Sequence, residues 1–387
     1  MLHELLECLE GVEDPREPAK VEHRLLDVLA IAVCAVLANA ESFEDIALYG
    51  RSKRSWLERF LELPGGIPSH DTFRRVLMLI NPGEFEQGFL AWTRRAFVAD
   101  DDGDGDDGPS QIAVDGKTVR RSFDRRRGQT PLHLVSAFAT RSGLVLAQRR
   151  VADKGGEPAV LPDLLAGLDL RGALVSLDAA ACHPGVAETI TKRGGDYLIA
   201  LKGNCRALHG AVRDWFATHA FAVGGGLRPC SDTWDDQHGR LARRRVFVAD
   251  AKGLPDAAEL VAAWPGLRRM VAVEAIRSVR NPALNAPRGV SCQIRYYLTS
   301  SAALEPRVAA AVRAHWAIEN RLHWVLDTGF GEDLSRVRDR NAASNLAVLR
   351  RIALNLVRAD TTAFGSLKGK RKMAGWDDAF MHRLVAK

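Results

Sequence analysis

Residues 111–116 read QIAVDG, an apolar run of strand-forming residues that stops on Asp115 in front of a glycine. Two similar runs follow, LHLVSAFA (132–139) and LVLAQRRVA (144–152), separated by turn and basic segments. The texture then alternates: a helical run PAVLPDLLAGLDL (158–170), an apolar strand ALVSLDA (173–179), a helix VAETITKRGG (186–195) and a strand DYLIAL (196–201). Three strands followed by alternating helix and strand indicate a mixed α/β sheet. Beyond residue 206 the pattern predicts one helix and then the strands RRRVFVAD (243–250), RMVAVEAI (269–276) and CQIRYYLTS (292–300). Two helices follow, one containing HWAIENRLHW (315–324) and the other NAASNLAVLRRIALNLVR (341–358).

Upstream of QIAVDG the character differs. Residues 1–98 read as helical, with Ser69 or Asp71 as a helix cap after the breakers Pro64, Gly65, Gly66 and Pro68. The broken helix pair, whose second member carries Arg74 and Arg75, fits either a helix-turn-helix DNA reader or a bracing bundle. The run ADDDGDGDDGPS (99–110) reads as a flexible acidic linker. Asp100, Asp102, Asp104 and Gly105 match the start of a calcium loop, but Gln111 stands where the closing bidentate Glu belongs, which argues against calcium. The tail 359–387 is basic and then partly helical, and its KGKRK segment reads as solvated.

The chain has 387 residues, 47% hydrophobic and 26% charged, with a net charge of +6 despite the acidic run, a balance that favours a polyanionic partner. Six cysteines without a CxxC pair suggest reduced thiols rather than a disulfide frame or zinc site. The N-terminus lacks a basic leader, and VLAIAVCAVLANA (28–40) is too short to span a bilayer, so a cytoplasmic protein without membrane attachment is expected.

Asp115 and Asp178 both end strands, where side chains converge on the ligand crevice of an open α/β sheet. Glu319 lies in a helix at the border of the apolar stripe Val312, Ile318, Leu322, Val325 and Leu326. Each acid alone fits a cap or a turn. Together, three hard oxygen donors suit a two-metal Mg²⁺ site, with Mn²⁺ as a substitute, acting on phosphodiesters. Lys117, Arg120, Arg121, Arg125, Arg126 and Arg127 follow Asp115 and are candidate phosphate contacts. Arg240 and the arginines at 243–245 are further basic residues, and His238 and Arg240 fit a phosphate-contacting turn or a plain hairpin. Lys202 and Asn204 are candidates near Asp178, and His315 and His323 flank Glu319 on the same helix side, to orient it or touch DNA. A zinc site at those histidines lacks a supporting cysteine pair.

The chain resembles a DDE transposase of bacterial insertion sequences, of the H repeat-associated type. The resemblance rests on stretches in order along nearly the whole chain, among them IPSHDTFRRV, VDGKTVRRS, LDAAACH, GDYLIALKGN, HGRLARRR, WPGLRRMVAVE, HWAIENRLHWVLDTGFGEDLSRVR and NLAVLRRIALNL. It implies a ribonuclease H-like catalytic domain over 111–358, with a β-rich insertion at about 206–300, behind an all-helical N-terminal domain. It also implies the triad Asp115, Asp178 and Glu319, cutting and joining of double-stranded DNA at the element's ends and target, and a homo-oligomer on DNA. The family pattern around the Glu has Arg and Lys where this chain has His315 and Leu326. A purely hydrolytic nuclease of the same fold and a non-catalytic DNA-binding derivative are the alternatives.

Overall fold

The computed structural model describes residues 1–97, 110–152, 155–237, 240–254, 258–281 and 286–386. The acidic linker to residue 109, with the calcium-loop motif inside it, lies outside the described residues, as does His238. The fold is mixed α/β, with nine strands in mixed pairing among the described residues. Two compact units form: Met1–Asp104, Gly116–Gly156 and Ile318–Lys387 make the first, Gly105–Asp115 and Glu157–Ala317 the second.

The second unit is built on a sheet. β1 (Gln111–Val119) begins in it, followed by β4 (Leu174–Leu177) and β5 (Asp196–Leu201), parallel to one another. Helices Glu157–Ala166 and Pro184–Lys192 precede β4 and β5, as parallel connections require. β4 is buried at every residue, which explains its unbroken apolar reading. β9 (Ala286–Thr299) continues from β5 in antiparallel pairing, then β8 (Arg269–Asn281), β7 (Arg240–Asp250) and β6 (Ser231–Gln237). The region expected as a β-rich insertion therefore supplies four strands after the helix Arg206–Phe216. Leu174, Leu198, Val246, Val271 and Tyr297 from these strands pack with Val308 and Val312 of the helix Glu305–His315 into one core.

The first unit is mainly helical, around the hairpin β2 (Leu132–Ala139) and β3 (Val145–Val151). The helix Leu25–Leu37 is buried from Asp27 onward, as its apolar reading predicts. Ser69 caps the helix His70–Leu79, its Oγ accepting the Thr72 amide at 3.2 Å. The helix Arg340–Ala359 is buried at every residue from Ala342 to Val357, so it needs neighbours on all sides. The helices Leu25–Leu37, His70–Leu79 and Pro82–Phe97 pack against it. The N-terminal helices share one compact unit with β2, β3 and the C-terminal helices.

Two local expectations need correction. The KGKRK segment is not simply solvated: in the partly helical tail, whose helices are Leu367–Trp376 and Asp378–Ala386, its Arg371 is fully buried. Its guanidinium lies 3.8 Å from the Phe330 ring centre and donates to the Val36 carbonyl at 2.7 Å, which explains why a charged residue tolerates burial. The stretch 315–324 is also not one regular helix. The helix Glu305–His315 stops, Ile318–His323 forms a wider π-type turn, and Trp324–Phe330 returns to α geometry before Gly331 ends it at φ 59°. Wider turns of this kind recur at functional sites because they re-aim side chains.

Candidate active site

Asp115 and Asp178 occupy equivalent positions on neighbouring strands. The parallel register of β1 and β4 pairs Gln111 with Leu174 and ends on Val114 with Leu177. The next residue on each side is an aspartate, and parallel strands lie about 4.8 Å apart, so Asp115 and Asp178 are neighbours across the pair; β4 stops before Asp178, but β1 runs on to Val119, so Asp115 does not end its strand as the sequence suggested. Asp178 is tied to its backbone: its Oδ1 accepts the Ala180 amide at 2.9 Å and caps the short turn Ala179–Ala181. Burial and the neighbouring Glu157 raise its pKa above the usual carboxylate range, against the Ala180 and Ala181 amides and Lys202. Lys202 is the residue after β5 and is exposed, and Asn204 Nδ2 donates to the Ala179 carbonyl at 2.7 Å. The structure thus brings Asp115, Asp178, Lys202 and Asn204 to one end of the parallel strands. Glu157, at the start of its helix, is an acid that sequence reasoning passed over, since its segment holds no strand-end signal.

His315 belongs to the same unit but faces inward. Its Nδ1 lies 3.0 Å from Ser176 Oγ, and Ser176 also accepts from Gln111 Nε2 at 2.8 Å. Burial pushes the imidazole down to about 4, so it is neutral near pH 7 and contributes no charge for a phosphate. Trp316 lies beneath the Arg295 guanidinium at 4.8 Å. Arg240 opens β7, paired with Gln237 and Val279.

In the first unit Glu319 is exposed, on the π-type turn. Four residues on, His323 is half-buried, and desolvation together with Arg351 and Lys117 pushes its pKa down to about 3. Like His315, it is a neutral internal residue.

Lys117 corrects the sequence expectation most sharply. The residue is 7% exposed, and its ammonium meets Asp327 Oδ1 at 2.7 Å, Asp333 Oδ1 at 3.1 Å and Glu332 Oε2 at 3.8 Å. It is a buried counter-ion rather than a surface phosphate contact. Glu332, fully buried, bonds Arg351 Nη1 at 2.8 Å, and Arg351 is fully buried too. Burial pushes the Glu332 carboxyl up, but Arg351, Arg350 and Lys117 together hold it below the usual carboxylate range. Glu332 and Asp333, which follow Gly329 and Gly331 in the sequence, are held in this ionic core. Arg120 keeps an exposed side chain and reaches Asp333 Oδ2 at 3.1 Å. Arg121, Arg125, Arg126 and Arg127 are exposed, the last three on the turn Arg125–Arg127.

Among the described residues no group of three or more His, Cys, Asp or Glu side chains is arranged to hold a metal ion. The donor chemistry of Asp115 and Asp178, hard oxygen at adjacent positions beside the β1–β4 pair, nevertheless fits a divalent cation. The raised pKa of Asp178 adds to this, because a cation beside a half-buried carboxylate relieves its desolvation.

The fold is a mixed α/β sheet, and comparison with known proteins places the chain in a family. The model of the transposase DDE domain matches residues 106–356, and that of its associated region, DDE_Tnp_1-associated, matches residues 6–93. The chain belongs to the DDE transposase family, with relatives of the H repeat-associated type. "H repeat-associated putative transposase YhhI" of Escherichia coli (strain K12) is 33% identical over 389 residues, covering 100% of this chain and 98% of that protein. "Putative transposase YncI" of Escherichia coli O157:H7 is 34% identical over 385 residues, covering 100% and 95%. An uncharacterized protein from the dhlA 3′ region of Xanthobacter autotrophicus is 42% identical over 300 residues, covering 76% and 93%.

Proposed function

We propose that this transposase cuts and joins DNA by metal-dependent phosphodiester transfer at the ends of an insertion sequence, on a ribonuclease H-like core. The observation that carries the reading is the register of β1 and β4, which sets Asp115 and Asp178 side by side one residue past the last paired positions. Asp115, Asp178 and Glu319 are the three carboxylates of the reaction. When bound, a pair of divalent ions such as Mg²⁺ supplies the charge that activates the attacking oxygen and stabilises the leaving one.

The remaining work falls to the chain. The Ala180 amide fixes the Asp178 carboxylate, so its oxygens need little reorganisation during the reaction. Lys202 beside Asp178, and Arg121 and Arg125–Arg127 in the first unit, bind phosphates and position the strand. Water attacks the phosphorus at the element end and releases a 3′-hydroxyl. That hydroxyl then attacks a target phosphodiester and displaces a second 3′-oxygen. Each phosphorus exchanges one oxygen for another, and the protein forms no covalent bond to DNA. The assembly acting on the two ends is a homo-oligomer.

The test uses the element's own end DNA with Mg²⁺, with and without chelator. Asp178→Asn keeps an acceptor for the Ala180 amide but removes the charge. Cutting and joining should fall about a thousandfold, roughly 4 kcal/mol of transition-state stabilisation, while DNA binding persists. Full cleavage by this variant, or cleavage by the wild type in chelator, would refute the reading.

A further inference from the structure

Two cysteines sit beside the Asp178 turn with their sulfurs facing. Cys182 ends the turn Ala179–Ala181 that Asp178 caps, and Cys205 ends the turn Gly203–Cys205 after β5. The Cys205 Sγ lies 3.6 Å from the Cys182 Sγ and 3.3 Å from the Cys182 carbonyl oxygen. The contact is built into the fold: β4 and β5 pair in parallel from Leu174–Asp196 to Leu177–Ile199, so their following turns emerge at one sheet end. Asn204, the neighbour of Cys205, ties the two turns together through the Ala179 carbonyl. All six cysteines are free thiols, and this is the pair whose sulfurs approach.

We propose that Cys182 and Cys205 form a thiol-oxidation site, closed to a disulfide by low-molecular-weight disulfides, which distorts the turn holding Asp178. Cys205 is half-buried and Cys182 buried, so access selects Cys205 as the attacking thiol. Burial pushes the Cys182 thiol up, which keeps it protonated until the second step. The Cys205 thiolate attacks one sulfur of the small disulfide, whose S–S bond breaks and releases one small thiol. Cys182 gives its proton to water and attacks the Cys205 Sγ, releasing the second small thiol. Two protein thiols are oxidised and one small disulfide is reduced. Closure brings the sulfurs from 3.6 Å to about 2 Å, and Cys182 lies only two residues from Ala180.

The effect on catalysis rests on the role proposed above for Asp178, and the experiment separates the two. The full chain is equilibrated with oxidised glutathione, then alkylated and peptide-mapped. The expected result is a link between the peptides of Cys182 and Cys205. Amide exchange at Ala180 should accelerate about tenfold as its bond to Asp178 is strained. Cleavage of end DNA should fall on the order of a hundredfold, as for a misplacement of ~1 Å, and recover with a reducing thiol. Cys205→Ser should keep its activity under the same oxidant. A different pairing, no link, unchanged Ala180 exchange, or equal inhibition of Cys205→Ser would each overturn the proposal. A wild type that never cuts end DNA fails the functional reading alone, because the link and the exchange rate still decide the thiol site.

Discussion

Charged residues meet opposite fates in the two units. In the second unit, Asp115 and Asp178 follow apolar runs at adjacent positions of two parallel strands, β4 stopping before Asp178 and β1 running on past Asp115. In the first unit, Lys117, Glu332 and Arg351 are carried into the interior and satisfy one another. Asp178 is half-buried, held by backbone amides between Glu157 and Lys202, and its raised pKa marks it as a group for chemistry. A carboxylate fixed by an equally buried guanidinium is spent on structure. Local sequence looks similar in the two places, and the number and burial of counter-ions separate them.

The sharpest way to break the contrast is to remove one charge from the ionic core. Arg351→Met removes the closest counter-ion of the fully buried Glu332, and urea unfolding should show a loss of about 3–5 kcal/mol. The double variant Arg351→Met/Glu332→Leu should recover much of that, because an apolar pair of similar volume avoids the desolvation of both ions. A single variant as stable as the wild type would show that the pair carries no structural load.

The pH dependence sharpens the comparison next. His323 and His315 have folded pKa values of about 3 and about 4, below the unfolded value near 6.5. The unfolded chain therefore binds more protons as the pH falls. The stability contributed by each neutral histidine is complete above about pH 6.5 and is lost as the pH drops toward the folded value. Each should add up to about 1.4 kcal/mol per pH unit to the slope between pH 6 and 4. His323→Gln and His315→Gln should each flatten it, and an unchanged slope would mean that the imidazole is not buried neutral.

How far the fold could be read in advance follows the same division. β1, β4, β5 and the crossover helices were legible because burial on both faces leaves an unbroken apolar run bounded by glycine and aspartate. β6 was not, since its sequence SDTWDDQ is polar and it forms against β7, where Asp232 bonds Arg243 at 2.6 Å and Trp234 lies under the same guanidinium. Lys117 was misread for a related reason. It shares a strand face with buried Val119, a period-2 signal that was present, but its partners Asp327 and Asp333 are more than two hundred residues away. The interruption of the helix around Glu319 left no breaker residue in the sequence.

Smaller effects belong to the exposed arginines. Replacing Arg125, Arg126 and Arg127 with Ala should leave stability nearly unchanged and weaken binding to all DNA sequences alike. The salt dependence should flatten by about 0.9 per lost phosphate contact. A loss confined to end DNA would mean base reading instead. Arg74 and Arg75, exposed on the helix His70–Leu79, are the complementary probe for preference between end and random DNA. Substituting them is cleaner than removing the N-terminal helices, which pack against Arg340–Ala359. The preference should drop while salt-sensitive binding remains.

The most direct test of the central claim compares two acids eight residues apart. Asp327 is bonded to Lys117 at 2.7 Å, whereas Glu319 is exposed on the π-type turn. Single-turnover cleavage and joining of end DNA should fall by orders of magnitude in Glu319→Gln with DNA binding intact. Asp327→Asn, which retains a hydrogen-bond acceptor for Lys117, should lose some stability and still cut. A Glu319→Gln protein that cuts and joins normally beside an inactive, folded Asp327→Asn protein would contradict the account and make Asp327 the third catalytic acid.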